Sequence, residues 1–105
     1  MTELRIYTLA DAAALHRYTT IFWPRHIHTL RRHGIVVHGV WIDTAADRYR
    51  VVALVGYPPG EDPTRRAEGY RASRDFAEDH ADFDVSSIIS EQTVTLEPIT
   101  ASPLR

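Results

Sequence analysis

Six histidines, five tyrosines and no cysteine set the chemistry open to this 105-residue chain. Without a thiol there is no cysteine nucleophile, thiolate metal site or disulfide. G-x-S-x-G, Walker and G-x-G-x-x-G patterns are also absent. Proton transfer by imidazole and hydroxyl groups is what remains. His26 is the most informative residue, because Ala12, Leu15, Thr19, Phe22, His26, Leu30 and His33 recur at steps of three and four, one face of a helix. Where such a face meets a sheet, His26 enters an apolar cleft beside Phe22 and Leu30, and burial keeps it neutral, as a general base requires. The plainer alternative is an imidazole at the edge of the core bonded to a backbone carbonyl. Tyr7 and Tyr57 stand where a hydroxyl could polarise a carbonyl or donate a proton, or simply fill the interior. Alternation sends Trp41 and Asp43 to one strand face and His38 to the other. Asp43 is expected to orient a histidine or the substrate. Phe22, Trp23, His38 and Trp41 are the expected substrate contacts, with packing as the alternative for Trp23.

Metal ligation is not expected. His26 and His28 would point roughly 200° apart on a helix, and neither HExxH nor a paired-carboxylate motif occurs. No cofactor is expected either. Haem is the alternative, with His80 near a helix end as its axial ligand, against an imidazole that merely meets the helix dipole.

The 12 basic residues, all Arg, and 14 acidic residues leave a formal charge of −2, which argues against a nucleic-acid footprint. No apolar run reaches the 18 or so residues of a membrane span, and no leader is evident. A cytoplasmic protein is expected. Arg65, Arg66, Arg71 and Arg74, interspersed with Glu61, Asp62, Glu68, Asp75, Glu78 and Asp79, read as a solvated helix face with exchanging ion pairs.

The elements that must position these groups follow from periodicity. Residues 2–9 alternate as a strand. A helix follows from an Asp11 cap to a Gly34 stop, with a kink or restart expected at Pro24 after Trp23. Residues 35–44 and 49–57 read as a hairpin across a connection containing Ala45, Ala46 and Asp47. A second helix is expected from about Pro63 to His80, weakened by Gly69, then a turn at residues 82–84 and a strand from Ile88 to Glu97, with a short tail to Arg105. The order β-α-β-β-α-β predicts an α+β, ferredoxin-like, four-stranded antiparallel sheet with both helices on one face. The strands carry apolar residues on both faces, so the far face also needs a cover. A second copy of the sheet is the natural one.

Glu3-Leu4-Arg5-Ile6-Tyr7-Thr8-Leu9, Trp23-Pro24-Arg25-His26-Ile27, His33-Gly34-Ile35, Val37-His38-Gly39-Val40-Trp41 and Phe83-Asp84-Val85-Ser86 occur in an order and spacing that resembles NIPSNAP-family proteins over nearly the whole chain. The resemblance implies one domain over residues 1–105 that pairs into a homodimeric α/β barrel. The fold alone does not settle function, but an aromatic-lined cleft with His, Tyr and Asp suits proton transfer beside a carbonyl, so a small-molecule site for a hydrophobic metabolite is expected, worked by cofactor-independent acid/base chemistry of the isomerase, cyclase or dehydratase type. A non-catalytic ligand or haem binder, and a scaffold, are the alternatives. Two departures matter: Ala53 stands where many members carry a strand-three His, and His80 where relatives are more often apolar.

Overall fold

The computed structural model describes residues 1–45 and 47–104. Ala46, expected in the hairpin connection, and Arg105, expected in the tail, lie outside the described residues. Four strands, β1 (Thr2–Leu9), β2 (Val36–Ile42), β3 (Tyr49–Gly56) and β4 (Ile88–Leu96), form one sheet in the order β2-β3-β1-β4 with every neighbouring pair antiparallel. This is the ferredoxin-like arrangement.

Register decides which side chains meet the helices. Val51, Ala53 and Val55 of β3 are fully buried and stand opposite Tyr7, Arg5 and Glu3 of β1, so these residues share the helix-covered face. The other face carries Leu4, Ile6, Val52, Leu54, Val94 and Leu96. A bulge between Val37 and Gly39 changes the parity of β2. Trp41 then pairs with Val52, and the His38 ring lies over Gly56, so both are on the uncovered face. Simple alternation separated them; the extra bulge residue brings them together.

Asp11 caps the first helical segment, α1 (Ala12–Arg17), by accepting from the Ala14 N–H at 2.7 Å. The chain then makes a π-helical turn at Tyr18–Phe22 before α2 (Trp23–Arg32). Pro24 has no N–H for the Thr20 carbonyl, so the disturbance it causes is spread over the preceding turn rather than appearing as a sharp kink after Trp23. The Thr19 hydroxyl donates to the Leu15 carbonyl at 3.0 Å and that of Thr20 to the His16 carbonyl at 2.6 Å, serving acceptors in the widened turn. Gly34, at φ +77°, ends the helix in the left-handed conformation that a side chain disfavours.

The second crossover is two helices rather than one. After α3 (Pro63–Arg71), the chain breaks at Ala72 and Ser73, and Ser73 caps α4 (Arg74–Asp79) by accepting from the Phe76 N–H at 3.3 Å. Arg25 of α2 donates to the Glu78 carbonyl at 2.9 Å, while Arg32 and His33 meet Asp75 at 3.0 Å each. α4 is thereby held along α2. Replacing the cap, Ser73→Ala, should lower unfolding free energy by about 1 kcal/mol in urea titrations; an unchanged midpoint would mean that α4 does not depend on its cap.

Candidate active site

Between the covered face and the helices lies a cavity of about 440 Å³. Its walls include Phe22, Leu30, Ile35 and Phe76, and polar groups enter it from two sides.

The helical side is built around a buried carboxylate. His26 and Thr29 project from α2, Tyr70 from the end of α3 and Asp79 from the end of α4; all four are buried, Asp79 to 2% exposure. Asp79 Oδ2 lies 3.0 Å from His26 Nδ1 and accepts from the Tyr70 hydroxyl at 2.7 Å, while Oδ1 accepts from the Thr29 hydroxyl at 2.9 Å. The Tyr70 oxygen is also 3.0 Å from His26 Nδ1. Burial disfavours the Asp79 charge, but hydrogen bonds from His26, Tyr70 and Thr29 outweigh it and hold the carboxyl below its ordinary pKa. An ionised carboxylate only accepts, so Nδ1 must carry the imidazole proton. Nε2 is then a lone-pair acceptor; it has no hydrogen-bond partner among the described residues and remains on the cavity surface. Burial, partly opposed by Asp79, lowers the His26 pKa to about 4. At neutral pH, His26 is thus a neutral imidazole of fixed tautomer with its basic nitrogen on the cavity.

His80 enters from the C-terminal end of α4. Its Nδ1 donates to the Phe76 carbonyl at 2.7 Å, and the rings of Phe76 and Phe22 lie against it with centroids at 4.2 and 5.0 Å.

The sheet side is built around Arg5 on β1. Its Nη2 donates to Glu3 at 3.3 Å and to the Tyr57 hydroxyl, and Tyr7 stands beside the same guanidinium. Burial works against the charge, but Tyr7, Tyr57 and Glu3 outweigh it and raise the Arg5 pKa. Burial raises the pKa values of Tyr7 and Tyr57, so both remain protonated donors.

Of the residues expected from the sequence, His26, Tyr7, Tyr57 and Phe22 line this cavity together. Trp23 is buried in the core beside His26 and Tyr7 and is not part of the cavity wall. Trp41 and His38 lie on the opposite sheet face. Asp43, beyond the end of β2, accepts from the Ala45 N–H and meets Arg50 at 3.8 Å, away from the cavity. Asp79, which reads in the sequence as part of a solvated helix face, occupies the orienting position instead. Arg5, Thr29 and Tyr70 were also missed. A signal for the first two existed: Thr29 is three residues after His26 on an inward helix face, and Arg5 shares the inward parity of Tyr7 and Leu9. Among the described residues, no group of three or more His, Asp or Glu side chains could hold a metal, and no helix is long and apolar enough to cross a membrane.

Fold and cavity together define a ferredoxin-like α+β protein with a two-sided polar site between its sheet and its helices. Several solved structures that resemble it are NIPSNAP proteins. A NIPSNAP family protein from Agrobacterium tumefaciens superposes with a TM-score of 0.83 at 19% identity, covering 99% of this chain and 97% of that one. An uncharacterized NIPSNAP domain protein from Burkholderia xenovorans gives 0.81 at 17% identity, covering 97% of both chains. A NIPSNAP-like domain protein from the same organism gives 0.81 at 24%, covering 97% of this chain and 87% of that one. The chain has the NIPSNAP-family fold. No family model and no curated protein matches the sequence.

The lowered His26 pKa makes stability depend on pH. An unfolded imidazole takes up a proton near pH 6.5, whereas the folded one resists until about 4. The stabilisation is therefore fully present above the unfolded value and lost as pH falls through this window, by about 3 kcal/mol over the whole of it. Asp79, with its depressed pKa, adds a loss of the same sign at lower pH. Urea unfolding of the native protein should weaken from pH 7 to 4, and His26→Gln, which retains an N–H for Asp79, should remove most of that slope. An equal slope in both proteins would contradict the assignment.

Proposed function

We propose that the protein, a NIPSNAP-family member by sequence resemblance and fold, binds a small apolar metabolite and moves a proton on it without a cofactor. The observation that carries this reading is the Asp79–His26 pair, which presents an unprotonated Nε2 to a cavity whose volume lies within the usual range for ligand pockets. His26 takes a proton from a carbon beside a carbonyl, and Asp79 stabilises the imidazolium that forms. The Tyr7 hydroxyl, on the same cavity, faces the charge that develops on the carbonyl oxygen. The same base then returns the proton to a neighbouring atom, which is an isomerisation. Tyr57 holds the Arg5 guanidinium in place.

The open cavity favours this reading over a solidly filled scaffold. Haem held by His80 is the weaker reading, since the rings of Phe22 and Phe76 pack against that imidazole.

Residues 1–105 act in this account as one unit that pairs with a second copy into a dimeric α/β barrel in the cytoplasm. Helices cover one sheet face, while the other carries Leu4, Ile6, Val52 and Leu54 with Trp41 55% exposed. A second sheet of the same shape would bury that surface.

Native mass spectrometry should show a dimer carrying a small organic adduct when the protein is taken from its own host, and Leu54→Asp should yield monomer. Incubation of the released compound in D₂O with the protein should place deuterium beside its carbonyl, and His26→Gln should slow that exchange by about 10²–10⁴-fold. Exchange that is unchanged in His26→Gln would contradict the proposed base; a native monomer would contradict the barrel.

A further inference from the structure

We infer that the cavity selects an apolar monocarboxylate, held by the free edge of the Arg5 guanidinium with the Tyr7 hydroxyl beside it. This rests on the reading that the cavity holds a ligand, and adds the ligand's charge and its point of attachment.

Arg5 is a costly residue to place under helices on the covered face of β1, with only 16% of its side chain exposed. Its contact with Glu3 is a single one through Nη2, at 3.3 Å, rather than the two parallel bonds that a carboxylate can make with a guanidinium. Nη2 also serves Tyr57, so its hydrogens are taken. A guanidinium has five N–H donors in one plane, and those of Nη1 and Nε exceed what Tyr7 can accept. Tyr57 and Glu3 thus fix the plane of the group and leave donors over on a side chain that lines the cavity. A ligand carboxylate meets this arrangement in the fork geometry that Arg favours and Lys cannot reproduce.

Beside Arg5, on the sheet side of the cavity, the charged groups oppose a second negative charge. Glu3 and Glu91 contribute two carboxylates, and Arg71 of α3 a second guanidinium. Burial keeps His26 neutral against the pull of Asp79, and His80 Nδ1 donates to the Phe76 carbonyl. Arg5 is therefore the anion site on the sheet side, and Glu91, opposite Tyr7 on β4, repels a second carboxylate there. Phe22, Leu30, Ile35 and Phe76 require the rest of the ligand to be apolar.

Calorimetric titration with 2-naphthoate, its neutral amide 2-naphthamide and the dianion naphthalene-2,6-dicarboxylate tests the assignment. The native protein should bind naphthoate roughly 10–100-fold more tightly than the amide, and more tightly than the dianion. Arg5→Gln should erase the preference over the amide. Arg5→Lys, which keeps the charge beside Glu3, should retain part of it; if Arg5→Gln does not fold, the native ratio and Arg5→Lys decide. Equal binding of naphthoate and amide, or a preference that survives Arg5→Gln, overturns the carboxylate assignment while leaving a ligand cavity standing. Absence of binding by all three probes overturns both.

Discussion

An ionised carboxylate with 2% exposure must have its acceptors filled, and the burial of Asp79 imposes that requirement on this fold. Three donors from two other helices meet it: Nδ1 of His26 and the hydroxyls of Thr29 and Tyr70. Leaving one donor out would strand a buried charge. The requirement explains why the second crossover is broken. A continuous helix from Pro63 to His80 would carry Tyr70 and Asp79 along one rigid rod, nine residues apart. With the interruption at Ser73, the end of each short helix reaches the same imidazole.

The sheet divides its labour by parity. One face carries Arg5 and Tyr7 under the helices, and the other is an apolar surface with Trp41 and His38 at its edge. A single-residue change in register would exchange the two sets, which is why the paired positions of β1 and β3 tie cavity and uncovered face together. The cavity joins the carboxylate-anchored histidine and the tyrosine-anchored arginine through a wall that includes Phe22, Leu30, Ile35 and Phe76.

The element order was readable because it depends on period-two and period-three-to-four patterns that neighbouring residues enforce on one another, whereas the sequence left open which strand face meets the helices. His26 was readable for the same reason, as a polar residue on an otherwise apolar helical stripe. The bulge at His38 was not, since an extra residue in one strand leaves no mark in a run such as Val36-Val37-His38-Gly39-Val40 that is β-prone in either register. Asp79 was hidden by its neighbours: in Glu78-Asp79-His80, amid many charges, solvation is the ordinary reading, and only the Ser73 cap reorients the helix enough to bury it. Asp43 drew attention because alternation puts it on the face of Trp41, but it lies just past the end of β2 and outside the cavity wall.

The central claim is that burial keeps His26 neutral while Asp79 fixes its tautomer, with the lone pair on Nε2. Long-range ¹H–¹⁵N correlation spectra of the histidine rings, followed from pH 8 to 3, test it most directly. The account predicts that His26 carries its proton on Nδ1 at neutral pH and becomes doubly protonated only near pH 4. A proton on Nε2, or a midpoint at the ordinary 6.5, would contradict it.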